Sequence, residues 1–254
     1  MISLISAFFV FISSWAYVPP ADYILQRTAD TSLRAPIALE YEVTIQTPTG
    51  TTTVQEQWFI ESASRMRLKL LTGAQLEIVY SGSERSFLDR QGRKNQKISP
   101  EFVERLSMFE NSSALRKFMQ ELSIPSAIVS ATPHLSRADG VVNYGFFQKS
   151  TPQAEVLNPG IWIEQDQFVL RQVRFKSGAQ LNLSDYRPYA LSALIPYSKT
   201  LRWKSYRAEI KIRRVLEKKK ISLQELTTLE TTLDMGELAS EQKQAVLEFY
   251  SRFR

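Results

Sequence analysis

The sequence predicts a mainly β protein of the α+β class, with a large curved antiparallel sheet covered by a central helical insert and by terminal helices. Alternating apolar and polar residues recur in two runs of short segments, from 37 to 89 and from 127 to 213. Turn residues separate these segments, and antiparallel strands pair across such short links whereas parallel strands need long crossovers. Between the runs and at the ends, apolar residues follow the spacing of amphipathic helices.

The first run opens with the clearest strand, IALEYEVTIQT at 37–47, in which every second residue is apolar. This alternation is typical of a half-buried strand. A turn at 47–53 leads into a returning strand, where Trp58 and Ile60 share one face. The run continues with the segments RMRLKL, LEIVY and SGSERSFLD at 65–70, 76–80 and 81–89. Together they predict a meander of four to six strands.

Four helices are predicted from apolar stripes and their start signals. Pro19-Pro20 suits the first turn of one helix, and Ser99-Pro100 supplies a cap and a first-turn proline for the next. Asn111 and Ser240 are the expected caps of the other two. The expected stripes are Ala21, Ile24, Leu25 and Thr28; Phe102, Val103, Leu106 and Phe109; Leu115, Phe118, Met119 and Leu122; and Ala245, Val246, Phe249, Tyr250 and Phe253.

The second run completes a total of roughly ten strands. Its segments are AIVSAT, VVNYGFFQ, GIWIEQ, FVLRQVRFK and AQLNLSDYR, at 127–132, 141–148, 160–165, 168–176 and 179–187. A hairpin at 200–215 closes the run, with Leu201 and Trp203 alternating with Arg202 and Lys204. One face of this hairpin is therefore predicted to be buried and the other solvated. No linker rich in Pro, Gly or Ser separates the two runs, which indicates one domain.

The N-terminal segment predicts export to the periplasm. No charged side chain precedes Asp22, Leu4–Ile12 is a compact apolar run, and Ser14 and Ala16 are small residues at the positions that a signal peptidase reads. We therefore expect residues 1–16 to be a signal peptide that is cleaved after Ala16. The alternative is an uncleaved membrane anchor, because the uncharged run approaches the ~20 residues that span a bilayer.

The residue types present argue against an enzyme. With no Cys, the chain has no thiolate nucleophile or thiolate metal ligand, and its single histidine, His134, follows Pro133 in what we expect to be a loop. Neither a nucleophile elbow nor a glycine-rich phosphate loop is present. Catalysis by a pair of carboxylates stays an open alternative, since the chain contains 26 acidic residues. We predict no catalytic residue, no metal site and no cofactor.

The chain carries a formal net charge of +6, which favours anionic partners. In an exported protein, nucleic acid is not expected among them. The Lys218–Lys220 run is either a solvated loop or a contact for phosphates or lipid headgroups.

Large apolar side chains on the predicted inward face are the remaining candidates for function. Each of them fits an ordinary core, but a wide and strongly curved sheet can also leave room for an apolar ligand. The candidate lining residues are Leu39, Tyr41, Val43, Trp58, Ile60, Met66, Leu68, Leu70, Ile78, Trp162 and Trp203.

The order of several segments resembles the LolA/LolB-like family of periplasmic lipoprotein carriers and sorting proteins. These segments are the post-signal helix ADYILQRTAD, the strand IALEYEVTIQT, an aromatic residue before an R-x-R strand in QWFIESASRMRLKL, a W-I-E-x-D strand, a DYR strand and the closing hairpin. The resemblance covers about residues 20–215. It implies an incomplete antiparallel barrel covered by helices, with an apolar interior that holds acyl chains.

The resemblance also implies a domain division and a function. Residues 17–220 would form the LolA-like domain. Residues 221–254, whose helix at 239–253 lies beyond the usual end of the family, are expected to be a C-terminal helical extension that either plugs the cavity or binds a partner. The expected function is binding of acyl chains as a lipoprotein or lipid carrier or sorting factor at the cell envelope. Membrane surfaces or a partner protein are further expected contacts. The alternative is a non-transporting envelope scaffold or stress-sensor module with the same fold and a filled interior.

Overall fold

A computed structural model describes residues 18–34, 36–72, 76–89, 92–138, 140–148, 158–190, 192–216 and 238–254. Within these ranges the chain forms thirteen strands, four α-helices and a 3-10 helix. The strands are β1 (Ile37–Thr47), β2 (Gly50–Ser62), β3 (Arg65–Leu70), β4 (Glu77–Ser81), β5 (Glu84–Asp89), β6 (Gly92–Lys97), β7 (His134–Ala138), β8 (Val141–Phe147), β9 (Gly160–Glu164), β10 (Leu170–Arg174), β11 (Gln180–Tyr189), β12 (Ala193–Trp203) and β13 (Tyr206–Leu216). The helices are α1 (Ala21–Asp30), the 3-10 helix (Glu104–Ser107), α2 (Ser112–Glu121), α3 (Ser126–Ser130) and α4 (Ser240–Arg252).

All thirteen described strands belong to one antiparallel sheet, in the order β6-β5-β4-β3-β2-β1-β13-β12-β11-β10-β9-β8-β7. Two meanders, β1 to β6 and β7 to β13, are joined where the first strand pairs with the last. The described strands β6 and β7 stand at the two ends of this order, so the sheet is not closed into a barrel. The predicted class, a curved antiparallel sheet that forms an incomplete barrel, is confirmed.

The alternation in the sequence sets which face of the sheet is buried. Tyr41 of β1 pairs with Ile212 of β13, and Val43 pairs with both Ile210 and Val54. Side chains of paired residues point to the same face, so these apolar residues form one continuous inner surface. All five are buried. The hairpin at 200–215 follows the same rule, with Leu201 and Trp203 buried and Arg202 exposed.

The helices cover the inner surface with the stripes that the sequence predicts. Helix α1 begins directly after Pro20, and its Ile24 and Leu25 are fully buried. Helix α2 begins after Asn111, whose Oδ1 accepts a hydrogen bond of 2.9 Å from the Ala114 backbone amide. The C-terminal helix α4 packs against β1 and β2.

The prediction of a helix that starts at Ser99 is wrong. Its stripe is buried, but only the 3-10 helix forms there. Tertiary bonds hold the segment in an irregular shape instead: the Val103 amide donates to the Phe253 carbonyl, and the Leu33 amide to the Ser107 carbonyl. The Glu104 side chain also turns into the interior, where it binds a lysine.

Three shorter predictions are also corrected. Residues 127–132 are not a strand, since α3 begins after Pro125 and the apolar run is too short to fix a period of two. His134 does not lie in a loop; it opens β7 and pairs with Gly145, because Pro133 removes a donor only at its own position. Ser240 is the first residue of α4 rather than its cap, and Gln242 Oε1 accepts from the Ala239 amide at 3.0 Å.

Two sequence features lie outside the described residues. They are the segment predicted to be a signal peptide or anchor and the Lys218–Lys220 run. Each helix within the described ranges falls short of the length and apolarity that a membrane span requires.

Candidate functional site

Ten of the eleven predicted lining residues come together in one buried apolar cluster on the inner face of the sheet. They are contributed by the adjacent strands β1 to β4 and by β12, which is separated from β1 by β13. The ten are Leu39, Tyr41, Val43, Trp58, Ile60, Met66, Leu68, Leu70, Ile78 and Trp203.

Trp162 lies apart from them, on the opposite face of the sheet. Its neighbours Ile161 and Ile163 belong to the apolar cluster, and adjacent residues of a strand point to opposite faces. The Trp162 ring stacks on Phe147 with 5.1 Å between centroids, and the Arg174 guanidinium lies 5.0 Å from its centroid. Because every residue of β9 is buried, the sequence pattern of this strand did not distinguish its two faces.

Helix α4 occupies the space in front of the inner face. Phe249 and Phe253 are fully buried, and their ring centroids lie 6.1 and 5.3 Å from that of Trp203. Near β2 and β4, Phe102 fills the interior in the same way. Its ring stacks on Tyr80 at 4.7 Å, and Tyr80 stacks on Trp58 at 5.6 Å.

Charged groups lie within this apolar interior, where Glu104 and Glu56 each bind several partners. Glu104 accepts hydrogen bonds from Lys199 Nζ at 2.7 and 2.9 Å, from Tyr41 Oη at 3.0 Å and from Arg254 Nη1 at 2.6 Å. The four side chains are almost completely buried. A carboxylate in such a place needs this number of donors to replace the water it has lost.

Glu56 is the second carboxylate of the buried network. It accepts from Trp58 Nε1 and Tyr250 Oη, both at 2.8 Å, and from Arg254 Nε at 3.2 Å. Arg254 therefore bridges the two buried carboxylates. Since Tyr250 lies in α4 and Arg254 lies two residues beyond its end, the network ties the C-terminal helix to the sheet.

The pKa shifts of the network follow from burial and from its opposite charges. Burial alone would raise the pKa of Glu104, but Lys199 and Arg254 outweigh it and hold that pKa below its ordinary value. Burial lowers the pKa of Lys199 despite its bonds to Glu104. For Arg254 burial is outweighed by Glu56 and Glu104, which raise its pKa. Glu104 and Arg254 are therefore charged near neutral pH.

Arg85 also binds the C-terminal end of α4. Its Nη1 donates to the backbone carbonyls of Tyr250 and Arg254, both at 2.7 Å, and its Nη2 donates to Gln96 Oε1 at 2.7 Å. The carbonyls at a helix C-terminus carry partial negative charge, so a guanidinium there is favourable. Arg85 and the network of buried charges together hold α4 against the sheet.

An open groove lies beside the filled interior, between the turns of the first meander and helix α2. Its volume is about 780 Å3. Its walls are formed by Ala63, Ser64, Gly82, Ser83, Lys97, Ile98, Ser99, Pro100, Phe102, Arg105, Lys117 and Glu121. Phe102 is common to the groove and to the aromatic stack with Tyr80, so the groove reaches the apolar core at this residue.

Comparison with solved structures identifies the fold. A putative outer membrane lipoprotein-sorting protein domain from Vibrio parahaemolyticus superposes with a TM-score of 0.53 at 11% identity, over 80% of this chain and 94% of that chain. A LolA superfamily protein from Nitrosomonas europaea gives 0.51 at 10% identity, over 78% and 93%. The chain has a LolA-like fold. No family model matches the sequence, and no curated protein matches it significantly.

The LolA-like sheet of this chain holds charged residues that we did not predict from the sequence, although a signal for two of them was present. Glu56 shares the phase of Trp58 and Ile60 on β2, and Lys199 shares that of Leu201 and Trp203 on β12. A charge on the apolar phase of a strand indicates a buried partner of opposite sign. Within the described residues of the LolA-like fold, no three His, Asp or Glu side chains cluster as a metal site would require.

Proposed function

We propose that this protein binds acyl chains at the cell envelope and acts there as a carrier or sorting factor for lipoproteins or other lipids. The groove carries this proposal, because its volume of about 780 Å3 adjoins the apolar core at Phe102. Small-molecule sites in proteins are clefts of ~300–1,000 Å3 with mostly apolar walls. The LolA-like fold, shared with a structure described as a lipoprotein-sorting domain, supports the proposal.

Burial of methylene groups supplies the binding energy. A chain that lies against Ile98 and Phe102 loses water along one side, and each buried methylene contributes about 0.8 kcal/mol. Several buried methylenes are needed before this gain exceeds the cost of association, which is about 4 kcal/mol or more. The site is thus expected to favour long chains over short ones.

The ten interior lining residues belong to the same proposal. They form the inner surface against which α4 and Phe102 pack, and a chain that extends past Phe102 would compete with Phe249 and Phe253 for it. Trp162, on the opposite face, is not part of this surface. The proposed activity is binding, without a catalytic step.

Periplasmic action is part of the proposal and depends on the N-terminal segment. The uncharged Met1–Ala16 stretch, which ends in small residues, supports a cleaved signal. N-terminal sequencing of the exported protein should then begin at Tyr17. Recovery of the full-length chain in the membrane fraction would favour the anchor.

One observation favours a second function, that of a non-transporting envelope scaffold or sensor module. The interior is filled by α4 and Phe102, and a hydrogen-bonded network of buried charges holds α4 in place. Such a module would use its outer surface rather than its interior. It would bind no acyl chain in the groove, so a binding experiment separates the two functions.

The test is binding of a fluorescent fatty-acid probe by the wild type and by Ala63→Trp. Ala63 lies in the β2–β3 turn and lines the groove, so a tryptophan there fills part of its volume. The matched control is Ala138→Trp, at the end of β7 and also half-buried, but outside the groove. We expect probe affinity to fall at least about tenfold in Ala63→Trp, which corresponds to ~1.4 kcal/mol, with no change in the control.

The melting temperatures of both variants are also measured, so that a loss of folding is not mistaken for a loss of binding. If the wild type binds no probe at any chain length, the carrier proposal fails and the scaffold or sensor module replaces it. If Ala63→Trp binds as tightly as the wild type, the groove is not the binding site.

A further inference from the structure

The rim of the groove carries more positive than negative charge. Of the residues described along it, three are basic, Lys97, Arg105 and Lys117, and one is acidic, Glu121. Arg105 Nη1 donates to Glu121 Oε2 at 2.7 Å, so these two charges compensate each other. Two lysine charges at the rim are left over.

Arg105 is built into the wall and has little freedom to bind a ligand. Its Nη2 donates to the Pro100 carbonyl at 2.7 Å, and its guanidinium lies 4.7 Å from the ring centroid of Phe118. Burial also lowers the pKa of Arg105. The ion pair with Glu121 therefore has a structural role, joining the 3-10 helix to α2.

Lys97 and Lys117 differ from Arg105 in both exposure and partners. Both side chains are exposed, and neither forms an ion pair with a residue in the described part of the chain. They stand on separate elements, Lys97 at the end of β6 and Lys117 in α2. An ammonium on a flexible stem is a point charge that can follow the position of a carboxylate or phosphate.

The groove therefore combines an apolar wall with a cationic rim. Ala63, Ile98, Pro100 and Phe102 supply the apolar surface, and the hydroxyls of Ser64, Ser83 and Ser99 supply hydrogen-bond groups. Building on the proposed acyl-chain binding, we infer that the groove selects amphiphiles with an anionic head group, which Lys97 and Lys117 hold at the rim.

A carboxylate and a phosphate share this chemistry, and the experiment distinguishes them. Four ligands with the same dodecyl chain are compared at low salt, below their micelle concentrations: dodecanoate, dodecyl phosphate, an uncharged dodecyl ether and dodecyltrimethylammonium. We expect the two anions to bind about fivefold to tenfold more tightly than the ether, and the cation most weakly. Tighter binding of dodecyl phosphate indicates a phosphate head group, and tighter binding of dodecanoate indicates a free fatty acid.

The variant Lys97→Gln/Lys117→Gln tests the two residues. It should lose the preference for anions and bind dodecanoate and dodecyl phosphate no more tightly than the ether. The control Lys69→Gln/Lys176→Gln removes the same charge at two exposed lysines outside the groove, and it should keep the preference. Added salt should reduce the preference of the wild type, because exposed charges are screened.

The outcomes separate this inference from the proposed function. If all four ligands bind the wild type equally, the head-group inference is wrong while acyl-chain binding stands. If the double variant keeps the preference for anions, Lys97 and Lys117 do not hold the head group, and the inference is again overturned. If no ligand binds, the proposed function fails and the inference fails with it.

Discussion

Arg254 is the residue on which the largest part of the buried network depends. It donates to both buried carboxylates, and its guanidinium lies 5.0 Å from the centroid of the Phe249 ring and 5.4 Å from that of Trp58. Two carboxylates in an apolar interior are costly unless cations and donors replace their water. Arg254 thus makes it possible for Glu56 and Glu104 to lie beneath α4.

Replacement of Arg254 by alanine should destabilise the protein strongly. Glu56 would lose its only buried cation within the described network, and the expected loss is about 3–5 kcal/mol of unfolding free energy. Urea denaturation measures it. The control is Arg214→Ala, at an exposed pair with Glu40, where the expected loss is below about 1 kcal/mol. Similar losses in the two variants would show that Arg254 is not a bridge between buried charges.

Glu104 should make the folded protein sensitive to acid. Its pKa in the folded state lies below the ordinary value of 4.5, because Lys199 and Arg254 outweigh the effect of burial. As the pH falls below about 4.5, the unfolded chain takes up a proton that the folded state does not, so stability is lost until the lowered pKa is passed. We expect the melting temperature to fall in this range.

Glu104→Gln is the matched variant for this prediction. It should be less stable than the wild type near neutral pH, and its melting temperature should depend less on pH below 4.5. If the wild type and Glu104→Gln lose stability in parallel as the solution is acidified, other groups cause the acid sensitivity.

At the scale of elements, strands were predicted better than helices and turns. Strict alternation predicted β1 and the hairpin of β12 and β13, because one face of each of these strands is buried. The irregular segment around the 3-10 helix did not follow, since bonds from Leu33 and Phe253, both distant in sequence, set its shape. Local pattern contains no information on such partners.

The candidate site was predicted in part for the same reason. Ten inward residues follow from alternation, but that α4 packs against β1, β2 and Trp203 depends on contacts between distant segments. The groove arises where turns of the sheet approach α2, and no periodic pattern marks its position. Trp162 shows the limit of alternation, because β9 is apolar on both faces.

The closing hairpin offers a test at the scale of one element. Trp203 is buried against Phe249 and Phe253, so Trp203→Ala should cost about 3–5 kcal/mol of unfolding free energy. Lys204 follows it in the turn and pairs with Glu248 at 2.7 Å on the surface, so Lys204→Ala should cost less than about 1 kcal/mol. Denaturation curves that show equal losses would contradict the assigned faces of β12.

The molecule as a whole is an open sheet whose inner face is covered by its own helices, with a groove at the margin of that cover. The sheet order leaves β6 and β7 as edges, and α4 lies across β1 and β2 near the junction of the two meanders. This arrangement places an apolar groove with a basic rim next to a filled core. Binding at the groove is therefore compatible with a stable and closed interior.

The most direct test of the central claim is native mass spectrometry of the protein after gentle purification from the cells that make it. The proposal predicts a fraction of the protein with one bound acyl-bearing molecule, and dissociation should release an anionic amphiphile. The Ala63→Trp variant, purified in the same way, should lack this species. Wild-type protein that carries no bound lipid and takes up none when acyl amphiphiles are added would contradict the proposed function.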